Sequence, residues 1–474
     1  MPGQLAFLIS DYLIWVVTLC AAIWLLLGLR NYQHRQRWQM VLRRPAAMAS
    51  FILLILYLLI ALLDSFHYRP LITNPSASAT PQYAASELSI LDQLLTPLSL
   101  AQERSYSAPL AIQAFAKEQV QTATGPKRFY PRLKHGGASV KHKEDHFADL
   151  LTRTLSGLGL SALIFTPFVL LFWYRKTASK RSHAELTSNN QPPEPAFQDQ
   201  IGFAWKTAWL TLGLLTTLFI IAIELGSEYH LLGTDKVGQD VLLLGLKSIR
   251  TGILIGTLTL LIMLPFALLM GIAAGYFGGR IDDLVQYLYT TLSSIPGVLL
   301  IAAAVLSINL YLDQNLSEVV TLQQRADLRL LTLTGILGLT GWIGLCRLLR
   351  AESLKLRELD FVTAARALGI ADWQILIRHL LPNLGHIVLI TIVLEFSGLV
   401  LAEAVLSYVG VGVDPSMNSW GNMINGARLE LAREPAVWWS LATAFMFMFT
   451  LVLSANLFAD AVRDAFDPRL RGSQ

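Results

Sequence analysis

Nine apolar runs decide what this chain can become. They lie near residues 12–29, 46–63, 156–174, 207–225, 252–275, 292–310, 330–346, 384–410 and 437–458. Each approaches the roughly 20 residues that a helix needs to cross a bilayer. Backbone polar groups inside hydrocarbon must find partners within their own segment, so runs of this kind fold as helices. The expected fold class is therefore an all-α membrane protein of about nine transmembrane helices. Composition agrees, with 54% of residues hydrophobic and 15% charged. The first eleven residues hold no Lys or Arg, and Arg30 follows the first run as a stop. That pattern predicts a retained helix rather than a cleaved signal. Cys20 and Cys346 both fall in apolar runs and are expected to be packing residues, not a disulfide.

Charge in the short loops sets the expected orientation. Loop 30–45 carries Arg30, Arg35, Arg37, Arg43 and Arg44; loop 347–383 carries Arg347, Arg350, Lys355, Arg357, Arg366 and Arg378. Loop 175–206 is basic as well, whereas 276–291 has only Arg280. These loops face the cytoplasm if the N-terminus lies outside and the C-terminus inside. The formal net charge of +4 is then a property of cytoplasmic loops and calls for no nucleic-acid partner. The chain divides into two N-terminal transmembrane helices (1–63), an extracytoplasmic loop or domain (64–155), and two additional transmembrane helices (156–225). The last contain a cytoplasmic linker at 175–206, and a transmembrane core follows at 226–474. The 64–155 segment is polar and nearly balanced in charge, and reads as a small domain or as partly disordered chain. SNNQPPEPAFQDQ, inside the linker, has a flexible composition.

The stretch TAARALGIADWQILIRHLLPN, 363–383, interrupts the apolar pattern. Residues 354–368 are good helix formers, Gly369 suits a left-handed stop, and Asp372 suits the start of a second helix. Pro382 is expected to mark where the next span begins. The result is a helix, a tight turn and a second helix on the cytoplasmic side, with Ala364, Ala365 and Ala367 offering a shallow surface. An ordinary cytoplasmic helical loop fits the same composition.

The spacing Ala-Ala, three residues, Gly, twelve residues, then Pro preceded by Leu resembles the coupling loop of ATP-binding-cassette importer permeases. The residues in register are Ala364, Ala365, Gly369, Leu381 and Pro382, with Asp360, Thr363 and Arg366 in the same loop. The family often has Glu where this chain has Thr363. Further stretches resemble the dipeptide, oligopeptide and nickel group of these permeases, specifically its C-type second subunit. They are LLGTDKVGQDVLLLGLKSIRTGILIG (231–256), AGYFGGRIDD, LAEAVLSYVGVGVDPSMNSWGNMINGAR (401–428) and ADAVRDAFDPRLRG (459–472). RRPAAMASFILLILYLLIALLD (43–64) resembles the usual first span. The resemblance implies a six-helix importer-permease core preceded by extra spans. It also implies a coupling loop docked on an ATPase, and an outer family segment at Gly233, Thr234, Asp235, Gly238 and Asp240. The implied partners are a second homologous permease, two ATP-binding-cassette ATPase subunits, an extracytoplasmic substrate-binding protein and the lipid bilayer of the inner membrane. The implied cargo is di- or oligopeptides, with nickel chelates and antimicrobial peptides as alternatives. No cofactor is expected in this chain, with ATP and Mg held by the partner subunits. The sequence has no Gly-x-x-x-x-Gly-Lys-Ser/Thr phosphate loop, so the chain is expected to be non-catalytic.

Glu395 and Glu403 lie within one apolar run, about 80° apart around a helix. An acid in a membrane span is a functional candidate. Both are candidates for the translocation path, an interhelical structural hydrogen bond being the plainer reading. They would be proton sites if the chain were instead an ion-coupled secondary transporter. His135, His142 and His146 cluster in HGGASVKHKEDH, where a solvated polar surface is expected rather than a metal site. Asp235 and Asp240 flank Gly238 and suit loop capping or contact with a binding protein. Pro265 is a candidate kink or hinge.

Overall fold

The computed structural model describes residues 3–30, 32–72, 82–84, 87–122, 125–140, 142–186, 204–315 and 321–466. The chain opens with strand β1 (Gly3–Leu5), then α1 (Ile9–Arg30), α2 (Tyr32–Arg43) and α3 (Pro45–Asp64). Pro45 opens α3 in the first turn, where its missing N–H has no intrahelical acceptor to lose. Strand β2 (His67–Ile72) pairs antiparallel with β1, β3 (Gln82–Tyr83) and β4 (Leu88–Ser89), with Gly3 opposite Pro70 and His67 opposite Ser89. Two short helices follow, α4 (Ile90–Leu94) and α5 (Thr96–Leu100), and then the hairpin β5 (Glu118–Thr122) and β6 (Gly125–Phe129). The segment that composition left open between a domain and disorder thus carries a small sheet and a hairpin at one end of the helical bundle.

Helices α6 (His146–Leu186) and α7 (Trp205–Gly226) form the additional pair; α6 packs on α7, and α7 on α3. The helix of α6 starts ten residues before the expected 156 and continues through Pro167 into the expected linker. SNNQPPEPAFQDQ lies outside the described residues.

Helix α8 (Val241–Phe277) is the axis of the core, touching α3, α11, α12, α15 and α17. It begins eleven residues before the expected 252. Asp240 caps it by accepting from the Leu242 amide at 2.8 Å, and Lys247 and Arg250, which ended the apolar run in the sequence, are paired. Pro265 lies inside it. Gly278 and Gly279, both at positive φ, turn the chain into α9 (Gly279–Ser293), which replaces the expected loop 276–291. Ser294–Pro296 breaks the helix before α10 (Gly297–Asn315), so the span expected at 292–310 starts at 297.

Helices α11 (Leu322–Gly341) and α12 (Ile343–Arg357) make one long apolar unit. Next come α13 (Asp360–Ala367), α14 (Asp372–Ile375), a π-turn at Leu376–Leu380 and α15 (Leu381–Tyr408). Helix α16 (Trp420–Leu431) lies across that end, and α17 (Trp439–Phe466) closes the described chain against α3, α15 and α16. Residues 467–472 of the tail motif lie outside the described residues. Among the described residues nine helical segments are long and apolar enough to cross a membrane. The two cysteines differ: Cys346 is buried, but Cys20 is exposed on the apolar outer face of α1, which corrects its expected packing role.

Candidate functional site

The helix expected over 354–368 is two helices. Leu359 is extended and separates α12 from α13. Helix α13 starts at Asp360, and Thr363 donates from Oγ1 to the Asp360 carbonyl at 2.9 Å. Val362 and Ala365 are buried against Ile375 and Leu380, whereas Thr363, Ala364, Arg366 and Ala367 are exposed. Of the three alanines, therefore, Ala365 belongs to the interior and only Ala364 and Ala367 remain on the surface.

Gly369 ends α13 at φ +73°, and both characteristic bonds of the left-handed stop are present. Gly369 donates to the Arg366 carbonyl at 2.9 Å and Ile370 to the Ala365 carbonyl at 3.2 Å. The turn exposes two large apolar side chains at its tip, Leu368 at 81% and Trp373 at 62%.

Leu381 is half-buried and Pro382 exposed, and neither marks a boundary. Helix runs unbroken from Asp372 to Tyr408, because the π-turn at 376–380 widens the coil just before Pro382. A proline ring clashes with the carbonyl four residues earlier in a regular helix, and a wider turn removes that clash.

The α13–α14 pair hangs from the end of α8. Tyr276 donates from its hydroxyl to Asp372 Oδ1 at 2.6 Å, Arg366 Nε donates to the same hydroxyl at 3.2 Å, and the guanidinium lies 4.5 Å from the Tyr276 ring centre. Two glycines bring α8 and α12 together there. A Cβ on Gly275 would lie 2.6 Å from the Arg350 carbonyl oxygen, and one on Gly271 would lie 2.9 Å from that of Cys346. Arg350 in turn pairs with Asp282 of α9, with Nη2 donating to Oδ2 at 2.7 Å. The sequence offered Tyr276 and Asp282 only within AGYFGGRIDD, and nothing local tied them to α13.

At the opposite end the residues Gly233 to Asp240 form a tight loop that carries the 64–145 segment. Thr234 Oγ1 donates to the Ser105 carbonyl at 2.8 Å and accepts from the Ser107 amide at 2.7 Å, while Trp439 Nε1 donates to the Thr234 carbonyl at 2.9 Å. Asp235 Oδ1 accepts from the amides of Val237 and Gln239 at 2.9 and 2.8 Å. Gly233 and Gly238 sit at φ +75° and +81°.

His230 is buried between two carboxylates, with Nδ1 2.9 Å from Asp240 Oδ2 and Nε2 3.8 Å from Glu103 Oε1. Glu103 also accepts from the amides of Lys134, His135 and Gly136. Burial opposes charge on both groups, but the partners outweigh it. Asp240 and Glu103 hold His230 up at about 9, and His230 with the Lys134 and His135 amides holds Glu103 down at about 2. The raised histidine adds stability that is complete below its ordinary 6.5 and is lost as pH rises through about 9. The depressed carboxylate adds stability that is complete above its ordinary 4.5 and is lost as pH falls through about 2. Hydrogen-exchange protection of residues 103–136 is therefore expected to be greatest between pH 4.5 and 6.5 and to fall between 7 and 9. A His230→Gln protein should lose the alkaline fall, and the same fall in that variant would refute the assignment.

His146 is held by the Leu110 carbonyl, 2.9 Å from Nε2, and His142 precedes the helix that His146 opens. Among the described residues no group of three or more His, Cys, Asp or Glu is placed to hold a metal.

The two glutamates of α15 differ. Glu403 is buried and accepts from Ser407 Oγ at 2.8 Å, and it lies against the start of α16, where a Cβ on Gly421 would lie 2.5 Å from its Oε1. Glu395 is half-buried and faces α12, where a Cβ on Gly344 would lie 3.9 Å from its Oε1.

A third buried charge was hidden in the sequence. Arg250 of α8 donates from Nη2 to Asp11 Oδ1 at 2.6 Å and to Ser10 Oγ at 2.8 Å, and from Nε to Ser65 Oγ at 3.2 Å. Asp11 Oδ2 also meets His67 Nδ1 at 2.8 Å, and the Ser10 amide donates to Asp327 on α11. A charge within an apolar helix needs a partner, and that signal was available. It was lost because the expected span began at residue 252.

The family described as the inner membrane component of binding-protein-dependent transport systems matches residues 267–472. That range contains α13, Gly369 and the π-turn but not the Gly233–Asp240 loop. The oligopeptide transport system permease protein of Haemophilus influenzae is 30% identical over 243 residues, covering 51% of this chain and 71% of its own. The glutathione transport system permease protein of Pectobacterium atrosepticum is 31% identical, covering 52% and 74%. The dipeptide transport system permease protein of Lactococcus lactis is 30% identical over 51% of this chain, which spans 64% of that relative's length.

Proposed function

The chain belongs to the family of binding-protein-dependent transport system inner membrane components, and from that premise we propose that it is a permease subunit of an ATP-driven peptide importer. It is a multi-pass protein of the inner membrane. In this reading the α13–α14 end faces the cytoplasm, as does the C-terminus, and the sheet end with the N-terminus faces outward. The chain makes no bonds in cargo. Two ATPase subunits hold ATP and Mg, a second homologous permease completes the channel, and a binding protein delivers peptide to the outer face.

The observation that carries this reading is the exposed apolar tip at Leu368 and Trp373, suspended from the core by Tyr276. Leu368 and Trp373 lie together at a turn whose neighbours Arg366 and Asp372 are polar, a setting that suits a protein contact. Closure of the ATPase pair would press on α13. Arg366 and Asp372 meet at the Tyr276 hydroxyl, so that displacement reaches α8 there, while α14 passes it directly into α15. The close glycine contacts between α8 and α12 carry it onward as a rigid pair. Glu403 is buried with Ser407 as its hydrogen-bond partner, which suits a structural role, and Glu395 retains its candidacy for the translocation path.

Pull-down of the tagged protein from mild detergent tests this. The unmodified chain is expected to bring down an ATPase and a second permease. Leu368→Asp, which touches no core residue, should keep the second permease and lose at least tenfold of the ATPase, as removal of a central apolar anchor costs about 2 kcal/mol or more. Full retention of the ATPase by that variant would reject α13 as the docking element. An unmodified chain that comes down alone and still transports would reject the ATP-driven reading.

A further inference from the structure

A polar cleft of about 510 Å³ opens at the sheet end, between α4–α5, the Asp235–Asp240 loop, the start of α8 and α16. Its size is in the range of small-molecule sites. Four acids line it, and three of them are engaged by the chain itself. Asp92 accepts from Lys247 Nζ at 2.7 Å and from the Ser89 amide at 3.0 Å. Asp240 is held by His230 and the Leu242 amide, and Asp235 by two amides of its own turn.

Glu430 differs. It is only 6% exposed, its Oε1 accepts from the Tyr106 hydroxyl at 3.2 Å, and its Oε2 has no hydrogen-bond partner. Burial and the Asp235 charge push its carboxyl above the usual range, against the Tyr106 hydrogen bond and the Arg433 and Lys236 charges. Lys236 is exposed and makes no ion pair with it among the described residues, and Arg433 lies over the Tyr106 ring at 5.0 Å. Asn422, about 12 Å from Glu430 along α16, donates its amide hydrogens to the carbonyls of Asp414 and Met417 and belongs to the far wall of the cleft. Of the two lysines at the cleft, Lys247 is held by Asp92, and Glu430 is the lining acid with a buried oxygen that has no hydrogen-bond partner. A buried carboxylate oxygen in that condition is costly until a donor reaches it.

We propose that this cleft receives the ammonium end of a short peptide, with Glu430 Oε2 as its anionic partner. That the ammonium is borne by a peptide rests on the importer reading above; the preference for an ammonium does not. Part of the cleft wall, including Asp92 and Gln102, comes from the 64–145 segment, and Gln102 Nε2 reaches the Val237 carbonyl at 3.2 Å. The segment would then build part of a cargo site on the permease itself.

The test is calorimetric titration of the purified full chain, without partners, using dialanine, N-acetyl-dialanine and methylammonium. Dialanine is expected to bind, methylammonium to compete with it, and acetylation to weaken binding about tenfold or more, the value of a charge-assisted hydrogen bond. Glu430→Gln, which keeps an acceptor for Tyr106, should weaken dialanine by a similar factor. Equal binding of the acetylated and free peptides, or no binding of either ammonium probe at about 10 mM, overturns the proposal. The probe comparisons use the unmodified protein, so they decide even if Glu430→Gln fails to fold. Methylammonium bound through Glu430 with no binding of dialanine keeps the ammonium site and overturns the peptide as its bearer.

Discussion

Asp11→Ala is expected to destabilise the protein by about 3–5 kcal/mol and to free α1 from the bundle. The loss exceeds that of an ordinary ion pair because of what remains. Arg250 is 5% exposed, and its guanidinium would keep only the hydroxyls of Ser10 and Ser65 in a nearly dry site. The Asp11 carboxylate also accepts from the Leu8 amide and holds His67 of β2, so the same change loosens the β1–β2 edge. Thermal unfolding in detergent and protease sensitivity of the N-terminal helix read the effect. Asp11→Ala combined with Arg250→Met should recover most of the loss, since the pair then leaves together. A single variant within about 0.5 kcal/mol of the parent would show that the pair does not anchor α1.

Gly238→Ala is the second large effect. At φ +81° any side chain is strained, and a Cβ here would lie 1.9 Å from the Glu103 carbonyl oxygen, a backbone atom that cannot swing aside. The chain must separate at 103, where Glu103 also donates its amide to the Gly238 carbonyl at 3.0 Å. The expected cost is above about 2 kcal/mol, and the 103–136 segment should lose exchange protection together with the Glu103–His230 contact. Gly369→Ala provides the contrast. Its φ is nearly the same, +73°, but nothing lies within 4 Å of the added Cβ. Only the backbone strain of about 1–2 kcal/mol remains. If the two substitutions cost the same, the close approach at Gly238 contributes nothing and the lock between the loop and the 64–145 segment is misassigned.

The contrast also shows what kind of signal each feature needed. Gly369 was legible because a helix stop is local: helix formers precede it, and the left-handed turn requires what glycine allows. Gly238 is equally a glycine in a turn, yet its importance depends on Glu103, far away in sequence. The ends of the spans failed for a similar reason. The span expected at 252–275 left Lys247 and Arg250 outside it. In the folded chain Lys247 meets Asp92 and Arg250 meets Asp11, and α8 continues past both. Pro382 misled in the opposite sense. Proline ends most helices, but here a π-turn two to six residues earlier makes room for its ring.

The sequence by itself determined that the chain is a bundle of about nine membrane-crossing helices, and that a helical turn stopped at Gly369 interrupts it. Both follow from short-range quantities, the apolar length needed to span a bilayer and the backbone angle a single residue will accept. The tertiary structure decided which charges are silent and which are available. Asp11 and Arg250 are 239 residues apart, Asp92 and Lys247 are 155 apart, and each pair neutralises itself only because the helices bring it together. Nothing local in the sequence singles out Glu430. Only when Tyr106, 324 positions away, takes one of its oxygens and burial removes water from the other does it become a carboxyl with an unsatisfied oxygen at the wall of a cleft. Hydration and pairing depend on distance in space, and that distance is set by how the helices pack.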